Sequence, residues 1–209
     1  MLRCVLAWFF FCAMVCLLRA EQGKQSGKST SQTAVDAPSK EDFAAARAIF
    51  QQRLAAKPND STTLANLGML EYRQQNLDEA ARLLKKAVRV DPDLARAWLT
   101  LGVVEYERND FDAALAALSH AVLLEPKSAR AHNYLGVTIG RKGWLDGAQA
   151  ELRTAVELAP DYAEAHFNLA LSYLQQAPPA IELARRHYQR ALDLGAARDD
   201  LVEKRLEKP

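Results

Sequence analysis

Cysteine is confined to the start of this chain: Cys4, Cys12 and Cys16 are its only three, so nothing beyond Cys16 can form a disulfide or a thiolate metal site. A charge excess is missing too. The 27 basic and 26 acidic side chains leave a net +1, which gives no global field to gather phosphate backbones or anionic lipid, and nucleic acid is not expected as a partner. No stretch reads as a convincing strand, and no glycine-rich loop follows one to cradle a phosphate. Ser119 beside His120 is the nearest thing to a nucleophile with a base, and adjacent residues point to different sides of a helix. No nucleophile, base and orienter come together. No enzyme, cofactor or metal is expected.

Fifteen uncharged residues, 4 to 18, lie between Arg3 and Arg19, and Ala20 offers a small residue for cleavage. That is the pattern of a secretory signal peptide over 1–20 and predicts an exported protein, periplasmic or secreted. Leu18 departs from the small-residue rule before the cut, so an uncleaved membrane anchor stays open as the alternative, with membrane association through residues 1–20. Residues 21–40 (EQGKQSGKSTSQTAVDAPSK) carry almost nothing to bury and read as a flexible linker.

From there one phrase recurs: TLANLGMLEY at 63–72, AWLTLGVVEY at 97–106, AHNYLGVTIG at 131–140 and AHFNLALSYL at 165–174. Pro58, Pro92, Pro126 and Pro160 keep the same step of 34 residues. Within a step, apolar residues fall three or four apart on two successive segments, as in Leu64 and Leu67, then Leu77, Ala80, Leu84, Ala87 and Val88. Each step therefore predicts a helical hairpin, turned at residues such as Asn109, Asp110 and Gly143 and closed by proline.

This pattern resembles the tetratricopeptide repeat family, with its period of 34 and its signature of Trp, Leu-Gly, an aromatic, a later Ala and a closing Pro. The leading slot holds Leu64, Trp98, His132 and His166; the next pair reads Leu67-Gly68, Leu101-Gly102, Leu135-Gly136 and Leu169-Ala170. The small residue of the second helix is Ala80, Ala114, Ala148 and Ala184. The aromatic slot departs: Glu71 and Glu105 hold it in the first two units with Tyr72 and Tyr106 one residue later, leaving open which turns inward. The last unit has two additional residues around Pro178-Pro179 and no closing proline. The organisation expected is a half repeat at 41–60, repeats at 61–94, 95–128, 129–162 and 163–198, and a capping helix at 199–209. Buried in such an array, Trp98 would cost about 3 to 5 kcal/mol on truncation to alanine. The resemblance implies an all-α, right-handed superhelical solenoid.

With Trp98 at zero on a helical wheel, Leu101, Gly102 and Glu105 form the packing arc, while Tyr106, Leu99, Val103 and Arg96 span about 80° to 160°. Solvent-facing residues there should be polar, and they are largely apolar. By resemblance this stripe lines the concave groove that holds a peptide or partner helix, through Met69, Tyr72, Arg96, Leu99, Val103, Tyr106, Arg130, Asn133, Val137, Phe167 and Leu171. Leu99, Asn133 and Phe167 are the first choices for contact. The competing reading is that neighbouring first helices bury the valines, Tyr72 and Tyr106 against each other. Arg73, Arg96, Arg130 and Arg141 edge the stripe and suit an amphipathic partner with acidic residues. His132 and His166, one repeat apart, are expected to pack between hairpins and not to share an ion; His120 and His187 look isolated. The function expected is an exported, non-catalytic protein-interaction scaffold; the alternative is a membrane-anchored envelope assembly subunit or a self-associating structural protein of unknown oligomeric state.

Overall fold

A computed structural model describes residues 40–207, and the expected signal segment and nearly all of the linker lie outside them. Ten α-helices and no strand occur among the described residues: α1 Lys40–Ala56, α2 Ser61–Arg73, α3 Leu77–Val90, α4 Ala95–Glu107, α5 Phe111–Leu124, α6 Ala129–Arg141, α7 Leu145–Leu158, α8 Ala163–Gln175, α9 Ile181–Asp193 and α10 Asp200–Leu206. They divide into two compact units, one ending at Pro126 and one beginning at Lys127.

The first unit packs α1 on α2, pairs α2 with α3 and α4 with α5, and lays α3 on α4. Helix starts are set by short acceptors: the Asp60 carboxylate accepts from the Thr63 amide at 3.1 Å and that of Asp110 from the Ala113 amide at 3.0 Å. Each hairpin closes where the first helix lacks a side chain. A β-carbon on Gly68 would lie 2.8 Å from Leu84 Cγ, and one on Gly102 would collide with Leu118 Cγ. Leu84 and Leu118 are fully buried in return.

Both acidic residues in the aromatic slot turn inward. Glu71, 5% exposed, accepts from Arg47 of α1 at 2.6 Å and from Asn76 at 2.8 Å. Glu105, with no exposure, meets Arg108 at 2.6 Å and the Lys85 ammonium of α3 at 2.7 Å, the latter off the hydrogen-bonding angle. Burying a carboxylate is tolerable only with such partners. Tyr106 is buried as well, its ring edge-on to Phe111 with centroids 5.5 Å apart. Trp98 departs from expectation: it is only half-buried, stacked on His120 at 4.5 Å, with its indole N–H donating to the Pro92 carbonyl at 2.7 Å.

The second unit pairs α6 with α7 and α8 with α9, lays α7 on α8 and ends on α10. A β-carbon on Gly136 would lie 2.7 Å from Leu152 Cγ, repeating the closure. The short α10 is held by buried Val202 and Leu206, by Arg185 donating to the Leu206 carbonyl at 2.6 Å, and by Arg205 on the Leu174 carbonyl.

The tight turn inside a hairpin uses the left-handed backbone region at one register position: Gln75 at φ 62°, Asn109 at 63° and Gly143 at 85°. Asparagine and glycine are suited to it; glutamine is not. Gln75→Gly is therefore expected to raise stability by about 1 kcal/mol, read as a higher urea midpoint with unchanged slope, and Gly143→Val to lower it by a similar amount.

A candidate partner groove on the first unit

The expected groove residues divide sharply by burial. Val103, Tyr106, Asn133, Val137, Phe167 and Leu171 are all less than 5% exposed and offer nothing to a partner. Asn133 corrects the expectation most directly, because its amide is consumed inside the second unit: Nδ2 donates to Glu164 at 3.1 Å and to the Tyr162 hydroxyl at 3.3 Å, while Oδ1 accepts from Asn168 at 3.0 Å. A buried amide without those bonds would be destabilising, so it ties α6 to α8. Phe167 packs toward Tyr188 of α9, centroids 6.0 Å apart. Leu99 and Tyr72 are half-buried, and the Tyr72 hydroxyl is 2.5 Å from a Glu107 carboxylate oxygen. Arg130 is exposed, its guanidinium 5.6 Å from the Tyr134 ring centroid.

What stays open is a cleft of about 110 Å³ between α2 and α4, lined by Thr62, Ala65, Asn66, Met69, Leu94, Arg96 and Thr100. Met69 and Arg96 belong to the expected set, and Arg96 Nη2 reaches Met69 Sδ at 3.4 Å. Thr62, Asn66 and Leu94 were missed. On the helical wheel Arg96 and Thr100 sit near 160° and 200°, and their counterparts one repeat earlier are Thr62 and Asn66. The open face is thus rotated by about 60° from the stripe chosen on apolarity, because the apolar part is the part that packs.

Models of the tetratricopeptide repeat match residues 39–93 and 71–136, and a further TPR repeat model matches 141–176. The chain belongs to the tetratricopeptide repeat family. Its fold class is the all-α helical solenoid of TPR hairpins. A crystal structure of MamA is similar at 25% identity, covering 79% of this chain and 96% of that one with a TM-score of 0.67. Another, of MamA protein, shares 27% over 74% of this chain and 84% of that one, TM-score 0.66. YrrB, a TPR protein with an unusual peptide-binding site, shares the fold at 22% identity over 81% of this chain and 85% of that one, TM-score 0.66. No curated relative matches the sequence.

The leading slot of this TPR chain has a polar task. As Trp98 donates to Pro92, so His166 Nε2 lies 3.2 Å from the Pro160 carbonyl, again six residues back. Ring nitrogens there staple a first helix to the turn before it. A carbonyl can only accept, so Nε2 of neutral His166 carries the proton, and its Nδ1 accepts from His187 Nδ1 at 3.0 Å. His187 is therefore not isolated; its ring stacks on His166 at 5.2 Å and on Tyr173 at 5.8 Å. His120 is not isolated either, given its stack on Trp98. His132 Nδ1 meets Glu151 at 2.6 Å. Among the described residues no three His, Cys, Asp or Glu side chains gather as metal ligands, and no described helix is long and apolar enough to cross a membrane.

Burial, then neighbouring His166 and Arg186, pushes His187 down to about 4, and burial lowers His166 as well. The unfolded rings, at 6.5, take up protons before the folded ones do. Their contribution is complete above 6.5 and is lost as the pH falls toward 4. Discounted for the partial exposure of His187, the loss is about 1 kcal/mol between about pH 7.5 and about pH 4.5. Urea melts at the two pH values should show it, and His187→Phe should shrink the difference by that amount.

Proposed function

We propose that this TPR protein is an exported, non-catalytic scaffold that holds a protein or peptide partner in the cleft between α2 and α4. The observation that carries this reading is the cleft itself: apolar Ala65, Met69 and Leu94 form its walls, and Thr62, Asn66, Arg96 and Thr100 supply hydroxyl, amide and guanidinium groups. A preformed site of that kind suits an extended peptide, whose backbone needs polar partners and whose side chains need somewhere to pack. Arg96, exposed at the edge, suits an acidic residue on the partner. The family of the chain supports interaction over chemistry. Export rests on the pattern of residues 1–20, with Arg3 before an uncharged run and Ala20 after it.

A photo-crosslinking side chain at Thr100 should capture a defined partner in the source cells. Met69→Glu combined with Arg96→Glu, if helical content by circular dichroism is unchanged, should abolish capture. Undiminished capture of the same partner by the folded double variant would remove the cleft from the account. Fractionation of cells expressing the full chain tests the address: recovery in the cytoplasm alone would remove export.

A further inference from the structure

We propose that the first unit carries a second docking site, on the opposite side of α4, for a partner segment that presents an apolar ring or branched side chain flanked by carboxylates. The inference is independent of the α2–α4 cleft. A groove of about 380 Å³ runs between α3, α4 and α5: Trp98, Ala113 and Ala116 are its accessible apolar walls, buried Val88, Leu101 and Ala117 lie beneath them, and Lys85, Arg89 and Glu105 also line it. On α4, Trp98, Leu101 and Glu105 lie within about 60° of one another and about 180° from Arg96 and Thr100, so the two openings cannot share one occupant segment.

The groove exists because of one register position. In every hairpin the leading residue of the first helix has a counterpart on the second helix: Leu64 with Leu83, Trp98 with Ala117, His132 with Glu151 and His166 with His187. Leu64 and Leu83 are both buried, His132 bonds Glu151, and His166, His187 and Tyr173 stack as a ladder of rings. Only Trp98 has an alanine at that position, and His120, three residues on, covers one face of its ring. Trp98 is half-buried where a tryptophan in a repeat core would be hidden, and the exposed face of α5 beyond it holds Ala116, Ser119 and His120. The other hairpins place a leucine, a glutamate or a ring there, and beside the apolar walls of this groove the leucine or the ring is the one that fits.

Charge names the rest of the occupant. The outer face of α3 presents Arg82, Lys85, Lys86 and Arg89 in a row. Arg82 is held by Glu79 at 2.6 Å, Lys86 donates to the Pro58 carbonyl at 2.7 Å, and Lys85 shares buried Glu105 with Arg108. Arg89 is exposed on the groove wall and no described residue pairs with it. It is the cation left over, and a carboxylate beside the apolar anchor would complete it.

The test uses the full chain and three synthetic hexapeptides, capped at both ends: Glu-Glu-Phe-Leu-Glu-Glu, the same with Lys for Glu, and the same with Ala for Phe and Leu. Amide spectra of the unliganded protein establish the starting state. The acidic phenylalanine peptide should shift the amides of 85–89, 98–105 and 113–117 with a dissociation constant below about 1 mM, and both controls should bind at least about tenfold more weakly. Ala117→Leu, which puts there the leucine that Leu83 supplies in the first hairpin, should abolish binding in a protein whose unliganded amide spectrum shows it folded; Arg89→Glu should weaken it about fivefold or more; Met69→Glu should leave it unchanged. No shift in the groove, equal binding of the lysine peptide, or full binding to Ala117→Leu overturns the proposal. Concentration-dependent shifts of the same amides without peptide would overturn the stated occupant in favour of a second copy of the chain.

Discussion

Two helices can lie closely against each other only where one of them contributes no side chain, and in this protein that place is held by Gly68, Gly102 and Gly136 against Leu84, Leu118 and Leu152. Each leucine fills the space a β-carbon would need and is itself removed from water. Everything else in the hairpins is arranged around this contact. The alanines at 80, 114 and 148 keep the second helix at the same distance, and the left-handed residues at 75, 109 and 143 turn the chain back soon enough for the contact to form. A hairpin closed this way still leaves one flank uncovered, and within each unit the neighbouring hairpin covers it.

Covering that flank creates polar problems, and the repeats solve them differently. Glu71 and Glu105 sit where an aromatic ring would be simplest, and each is neutralised by a cation from the preceding helix. At the leading slot a ring nitrogen of Trp98 or His166 satisfies the carbonyl of the proline six residues before it. The second unit goes further, with an amide network of Asn133, Asn168 and Glu164 and a pair of neutral histidines kept neutral by burial. Buried polar groups of this kind add little net stability, but they fix register, because a slip of one residue would strand them.

The period, the hairpins and the packing arc were all legible in the residues, since 34-residue proline spacing and three-four apolar spacing are properties of the chain itself. The site was legible only in part. Apolarity on the stripe of the first helices reads as a partner surface, and for Val103, Val137, Phe167 and Leu171 it marks burial. The open cleft lies beside that stripe, where Arg96 was expected but Thr62, Asn66 and Thr100, unremarkable polar residues, gave no signal of their own. The groove at Ala117 was equally silent, because alanine in a helix reads as a helix former whatever faces it.

What the residues alone determined is the hairpin: its length, its turns, its glycine-to-leucine closure and its membership of a repeating array. These depend on neighbours three, four or thirty-four positions away, and such distances are written directly in the chain. Only the tertiary structure decided which flanks remain open. Exposure depends on what a neighbouring helix places opposite each side chain, so Asn133 is consumed by Asn168 and Glu164 while Trp98, covered on one face by His120 and with an alanine at the counterpart position, stays partly exposed.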